Sequence, residues 1–324
     1  MVDKMRTYDI NNAYINQTYV ITSRLEKEGP IGNYFDEVFI PKEDCFESSE
    51  LKMVEKCISK LSIANVDLII AGDLSNQIAI SNYTAKLINK PMLGVYSACA
   101  TINEAIIIAS LLVDSRKFNN ILCFTSSYNQ TAERQFRSPV EYGGEKCLTQ
   151  TFTSTVAASC IISSKINKVK VKKVTIGRVI DIDFKNPLDF GRCMAPAAIE
   201  TLLSHFKNTN TKPNDYDLIL TGDLSYYGYP IVKEELEKKF GQINNYQDTG
   251  KMIFDKDKQN VLAGGSGPGT IAATLLAYVY KKMMKQELKK VLVCATGALM
   301  NPTMCNQKRE IPSIAHIIEL EYCI

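Results

Sequence analysis

Hydrophobic and polar positions along the chain follow two rhythms. Short runs of Ile, Leu and Val ending in small residues recur as VDLIIAG (66–72), ILCFTSS (121–127), DLILTG (217–222) and VLVCATG (291–297). Runs of that length, closed by Gly, Ser or Asp, predict strands buried in a parallel sheet. Between them, helical periodicity predicts helices over 46–61, 76–88, 100–115, 196–207, 230–240 and 269–287. Further strands are predicted at 152–164, at 169–180 (VKVKKVTIGRVI) and at 314–322 (IAHIIELEY). The second of these alternates basic with apolar residues, as a half-exposed strand does.

The pattern also repeats. VDLIIAGDLSNQ (66–77) returns as YDLILTGDLSYY (216–227), and NNILCFTSSYN (119–129) is echoed by KKVLVCATGAL (289–299). Between the members of each pair, a small-residue turn opens a helix of similar length, in VYSACATINEAIIIASLLV and again in LAGGSGPGTIAATLLAYVY. Paired landmarks in the same order predict two related α/β halves, 1–168 and 169–324, meeting near SSKINKVK. Strands alternating with helices cover each sheet on both faces, so two such halves predict an α/β/α/β/α sandwich.

Composition narrows the function classes. With 324 residues, 45% of them hydrophobic and 23% charged, the chain can bury a sizeable core. A net charge of +3 gives no support to nucleic-acid binding. The lysines at 281, 282, 285, 289 and 290 are expected as a solvated helix end, with an anionic membrane surface as the alternative. Ten scattered cysteines without a C-x-x-C pair argue against a disulfide framework and a zinc site, and for a reducing compartment. The start MVDKMRTYDINN lacks the apolar core of a signal peptide, and AIIIASLLV (105–113) is too short to span a bilayer, so any membrane role is expected to be peripheral.

The candidate chemistry centres on Cys99, between an apolar run and a helix start in GVYSACATINEA. The positive end of a helix favours a thiolate, and the flanking Ala98 and Ala100 permit close approach of a ligand; a buried structural thiol is the alternative. The chain has two histidines. His205 is expected at the surface near a helix C-terminus, whereas His316 enters the last strand and is expected in a pocket or in the core. In AGGSGPGTIAA, Gly264, Gly265, Ser266, Gly267 and Gly269 occupy the place corresponding to Cys99, and the helix start offers N–H groups to an anion. The polar segment 125–146 crowds Tyr128, Asn129, Glu133, Arg134, Arg137, Glu141 and Tyr142 into a loop with a short helix, readable as a solvated loop or as an arginine-bearing lid for carboxylates. Asp73 and Asp223, in twin GDLS turns, are expected to cap those turns, with cation or ligand contact the alternative at Asp73.

These residues carry a resemblance. AGDLSNQ, YSACAT, TSSYNQTAERQFRSPVEYGGEK, MAPAA, DYDLILTGDLS, AGGSG and ATGALMNPTMCNQKREIPSIAH resemble, in order and spacing, the stage V sporulation protein AD family of spore-forming Firmicutes, over roughly residues 20–324. The wider likeness is to thiolases and ketoacyl synthases, which implies the duplicated five-layered fold. The resemblance to the sporulation family itself implies a non-enzymatic role: binding dipicolinic acid (pyridine-2,6-dicarboxylate), free or with calcium, for uptake into the developing forespore. Peripheral placement on the cytoplasmic face of the forespore inner membrane, with other products of the same operon, is implied too, as is a homodimer formed through the nucleophile-bearing half. Cys99 matches the thiolase nucleophile position, while Gly265-Ser266-Gly267 stands where a thiolase has Gly-His-Pro, which removes the expected base. Tyr128 and Pro268 replace a His and a Cys of the family pattern, implying a pocket of altered detail. The residues expected at the ligand are Asp73, Cys99, Tyr128, Asn129, Glu133, Arg134, Arg137, Gly265, Ser266 and His316, with no metal set among them. The runner-up is an acyltransferase with Cys99 as nucleophile and His316 as base; a third reading is a scaffold with an idle pocket.

Overall fold

A computed structural model describes residues 6–41, 46–136 and 145–323. Ten strands form two sets of five. The first set is β1 (Tyr14–Thr22), β2 (Leu68–Asp73), β3 (Met92–Gly94), β4 (Asn120–Ser127) and β5 (Val156–Ser163), lying in the order β1-β5-β4-β2-β3. The second is β6 (Val169–Ile176), β7 (Leu218–Thr221), β8 (Tyr246–Asp248), β9 (Lys290–Ala298) and β10 (Ser313–Tyr322), in the matching order β6-β10-β9-β7-β8. In each set four strands run in one direction and one against them, β5 in the first and β10 in the second, so the sheets are mixed rather than all-parallel. The first strands of the two sets meet edge to edge at Tyr14 and Lys170.

The main helices are α1 (Phe46–Ile58), α2 (Ala79–Ile88), α3 (Thr101–Asp114), α4 (Asn129–Phe136), α5 (Phe190–Thr209), α6 (Ser225–Phe240) and α7 (Pro268–Ala273). The last runs on through a π-wound turn, Thr274–Val279, into Tyr280–Met284. Three apolar clusters fix the layers. The largest joins Ile102 and Ile106 of α3 and Ile271 and Leu275 of the α7 run to residues from both sets of strands, placing these two helices in the middle. A second cluster packs Met53 and Val54 of α1 against Ile69 and Phe124; a third packs Leu202 and Phe206 of α5 and Leu236 of α6 against Leu292 and Ile317. The five layers foreseen from the repeat are therefore present.

Two helices begin earlier than periodicity predicts. The periodicity begins at Pro196 and Pro230, yet both prolines lie inside α5 and α6. The added turns cross where Gly191 meets Gly228, with no room for side chains: a Cβ on Gly228 would lie 2.3 Å from the Gly191 carbonyl oxygen. Asp189 caps α5 by accepting from the Arg192 N–H at 3.2 Å.

The surface position expected for His205 is overturned, because the imidazole is fully buried. Residue 205 faces the sheet, where polar partners remote in sequence receive it. Nδ1 shares a hydrogen bond with Thr175 Oγ1 at 2.8 Å, while Nε2 faces the Tyr216 hydroxyl at 3.1 Å and Glu319 Oε2 at 3.3 Å. Tyr216 also donates to Glu319 at 3.1 Å, and Lys290 Nζ stands 3.6 Å from the second carboxylate oxygen. Among the described residues no helix is long and apolar enough to cross a membrane.

Candidate functional site

Cys99 sits on a tight 3-10 turn, Ala98–Ala100, between the edge strand β3 and α3. Ala98 is held left-handed, with φ +48°, immediately before the cysteine. The Ser97 N–H donates to Thr101 Oγ1 at 3.1 Å, and that hydroxyl donates to the Ala98 carbonyl at 2.6 Å. Ser97 Oγ donates to Glu104 Oε2 at 2.7 Å, while burial pushes the Glu104 carboxyl up. The thiol thus stands beside the positive end of a 14-residue helix.

The other half supplies the opposing wall. Gly297 of β9 abuts the turn so closely that a Cβ there would lie 2.2 Å from the Ser97 carbonyl oxygen. Gly297→Ala should therefore displace the Cys99 turn and cost about 1–3 kcal/mol in thermal unfolding. An unchanged melting midpoint with an unchanged rate of Cys99 alkylation would contradict that. Asn103 ties α3 to the same half, its Nδ2 donating to the carbonyls of Val293 and His316, both at 3.0 Å.

Beside Cys99 opens a cavity of about 950 Å³. Its first wall is Leu74–Ile78, Gly94–Tyr96, Ala98 and Gln135; its second is Phe190 with 298–303. The lining is apolar with four side-chain amides, Asn76, Gln77, Gln135 and Asn301, and the described lining has no charged side chain.

With this geometry in hand, the likenesses to known proteins become informative. Residues 5–321 match the family Stage V sporulation protein AD (SpoVAD). The chain belongs to the SpoVAD family. It is 39% identical to Stage V sporulation protein AD of Bacillus subtilis (strain 168) over 318 residues, covering 95% of this chain and 94% of that protein. Among solved structures it is similar to OleA of Xanthomonas campestris. A single-substitution variant of OleA gives a TM-score of 0.63 at 11% identity, covering 97% of this chain and 99% of that one. A cerulenin-bound OleA gives 0.60 at 12%, covering 96% and 98%. At such identities the likeness shows the fold alone, a thiolase-like one. By family, the chain is a sporulation protein.

In this SpoVAD-family chain the residues expected at the ligand are spread over several places. Cys99 lines the cavity. Asp73 lies behind it, fully buried: Oδ1 accepts from the Ser75 N–H at 2.9 Å, and Oδ2 from the Ser81 N–H and hydroxyl at 2.8 and 2.6 Å. That is the turn-capping role foreseen for it. Its twin behaves differently, since Asp223 Oδ2 accepts from the Gly267 N–H at 2.7 Å. The second GDLS turn is capped instead by Asp248, which accepts from the N–H groups of Leu224, Ser225 and Gly250. Burial lifts the Asp248 carboxyl to about 6.

The glycine loop uses its donors internally. Besides the Gly267 contact, the Gly269 N–H donates to Ser127 Oγ at 3.2 Å. Ser266 Oγ accepts from Thr151 at 2.8 Å, and a Cβ on Gly265 would press on Ile253 at 2.5 Å. The anion-ready N–H groups expected there are thus engaged within the fold. Tyr128 packs into the apolar cluster under α1. Asn129 binds Thr155 through its N–H and the Thr153 carbonyl through Nδ2, both at 3.1 Å. Glu133 is buried against Lys146 Nζ at 3.0 Å, Arg134 is exposed on α4, and Arg137, Glu141 and Tyr142 fall outside the described residues. His316 Nδ1 accepts from the Gly177 N–H at 3.2 Å, and burial lowers its pKa to about 4, leaving the ring neutral.

Sequence reasoning missed the amide lining and several buried acids, among them Asp248, Glu319 and Glu50. Asn301 precedes Pro302 and Asn76-Gln77 follows a GDLS turn, so both carried only turn signals. Glu50, 1% exposed in α1, accepts from Ser126 Oγ at 2.7 Å. Among the described residues no three His, Cys, Asp or Glu side chains gather as a metal-binding group.

Proposed function

We propose that the chain binds dipicolinic acid, free or as its calcium complex, in the cavity beside Cys99 without chemical turnover, and so supports its uptake into the forespore. The observation that carries this reading is a small-molecule cavity walled by both halves of a SpoVAD-family chain, with a nucleophile-position thiol on its wall. Apolar wall residues suit a pyridine ring, and the amides of Asn76, Gln77, Gln135 and Asn301 suit its carboxylates, aided by the positive end of α3. Calcium, in this reading, arrives with the ligand. The working form is proposed as a homodimer held peripherally at the forespore inner membrane with partners from the same operon.

Isothermal titration with dipicolinate, with and without calcium, is the test; no heat at millimolar ligand would refute the reading. Cys99→Ala should weaken binding less than about tenfold, because a wall changes and no bond chemistry is lost. Complete loss with the fold intact would be the contrary result.

One observation favours a second reading, acyl transfer: the thiol stands at a helix start behind a left-handed residue. The base foreseen for it, His316, is not in the cavity lining. An acyl adduct on incubation with acyl-coenzyme A, absent in Cys99→Ser, would establish that reading instead.

A further inference from the structure

The cavity wall contains a backbone that the sequence does not favour. Gln77 (φ 60°, ψ 28°) and Ile78 (φ 49°, ψ 45°) are consecutive left-handed residues. For a β-branched residue this region is a genuine outlier, kept only where surrounding contacts impose it, and such outliers gather at ligand sites. Here the contacts are visible. Asp73 grips the chain on both sides of the pair, at Ser75 and Ser81. The Ile78 N–H donates to the Ser75 carbonyl at 2.8 Å, Asn82 Nδ2 to the Gln77 carbonyl at 3.0 Å, and the Asn76 N–H to Gln135 Oε1 at 3.1 Å.

What the forced turn achieves is the placement of one side chain. Ile78 reaches across to β3, where Gly94 leaves a notch: a Cβ on Gly94 would lie 2.4 Å from Ile78 Cδ1. Both residues line the cavity that holds Cys99. We infer that Ile78, clamped by Asp73 and seated on Gly94, sets the size of molecule the cavity admits. The inference rests on the proposed function for the natural ligand's identity, whereas its test reads only access to Cys99.

The test uses the full chain and two thiol probes, iodoacetamide as the small one and N-(1-pyrenyl)maleimide as the bulky one. Rates at Cys99 are read by peptide mass mapping, with the exposed Cys147 as an internal standard. The bulky-to-small rate ratio at Cys99 should rise about tenfold in Ile78→Ala, the scale of removing apolar bulk from a pocket wall. It should rise at least as much in Ile78→Gly, which also relieves the left-handed strain and so keeps the fold. Gly94→Ala, by pushing Ile78 off its notch, should change both rates. A ratio that stays at the wild-type value in Ile78→Gly, with the thermal midpoint maintained, overturns the inference. Failure to bind dipicolinate leaves this ratio untouched, so the two ideas fail separately.

Discussion

Glu319→Ala is expected to cost about 3–5 kcal/mol of stability, because it leaves a buried polar network without its acceptor. In the wild type the carboxylate takes the Tyr216 hydroxyl at 3.1 Å, faces His205 Nε2 at 3.3 Å and has Lys290 at 3.6 Å. Burial works against the charged carboxylate, but the His205 hydrogen bond and the Lys290 charge outweigh it and hold the group below its ordinary range. A lowered carboxyl stabilises the fold above its unfolded pKa, and that contribution is lost as pH falls through the folded value. Removing Glu319 alone takes the carboxylate from Tyr216, His205 and Lys290, leaving His205 and Tyr216 with each other, Thr175 and Thr211 in the buried layer. The double change His205→Leu with Glu319→Leu removes both ends and should recover much of the loss. Denaturant unfolding of the wild type, His205→Leu, Glu319→Leu and the pair closes the cycle. Additive losses would show that the network has no cooperative worth.

A second large effect is tied to pH. Burial first, then the nearby charge of Asp73, lifts the Glu50 carboxyl from 4.5 to about 8. The folded state therefore holds a proton that the unfolded chain has released. The associated stability is complete below pH 4.5 and is lost as pH rises from there through 8. At ~1.4 kcal/mol per pH unit, the whole displacement corresponds to on the order of 4–5 kcal/mol. Glu50→Gln keeps the shape and can still accept from Ser126, yet has no proton to lose. It should equal the wild type near pH 5 and exceed it by several kcal/mol near pH 9. The acids around Glu50, namely Asp73 and Glu47, remain in both proteins, so the difference between the two pH curves isolates Glu50. Parallel curves from pH 5 to 9 would refute the assignment.

The layered fold was legible because its strands are dense in Ile, Val and Leu and because the chain states its pattern twice. Elements without an apolar rhythm were not. β1 carries Asn16, Gln17 and Thr18 at its centre, and β3 and β8 have three residues each. The starts of α5 and α6 were hidden because the Gly191–Gly228 crossing that extends both helices joins residues far apart in sequence. The site divided similarly. Cys99 was legible from its junction, and Asp73 from its turn. The burial of His205 rests on Thr175, Tyr216 and Glu319, which only the fold assembles. The amide lining was illegible because Asn and Gln after strands signal turns wherever they occur.

Gly297 pressing on the Ser97 carbonyl gives the cavity an unusual thermodynamic status. Its two walls come from opposite ends of a duplication, and neither wall defines a site alone. Any ligand that grips both is linked to the cohesion of the entire chain, and occupancy should raise the global melting temperature with ligand concentration. Conversely, a lesion anywhere that loosens one half from the other should read out as weaker binding at an intact set of contacts.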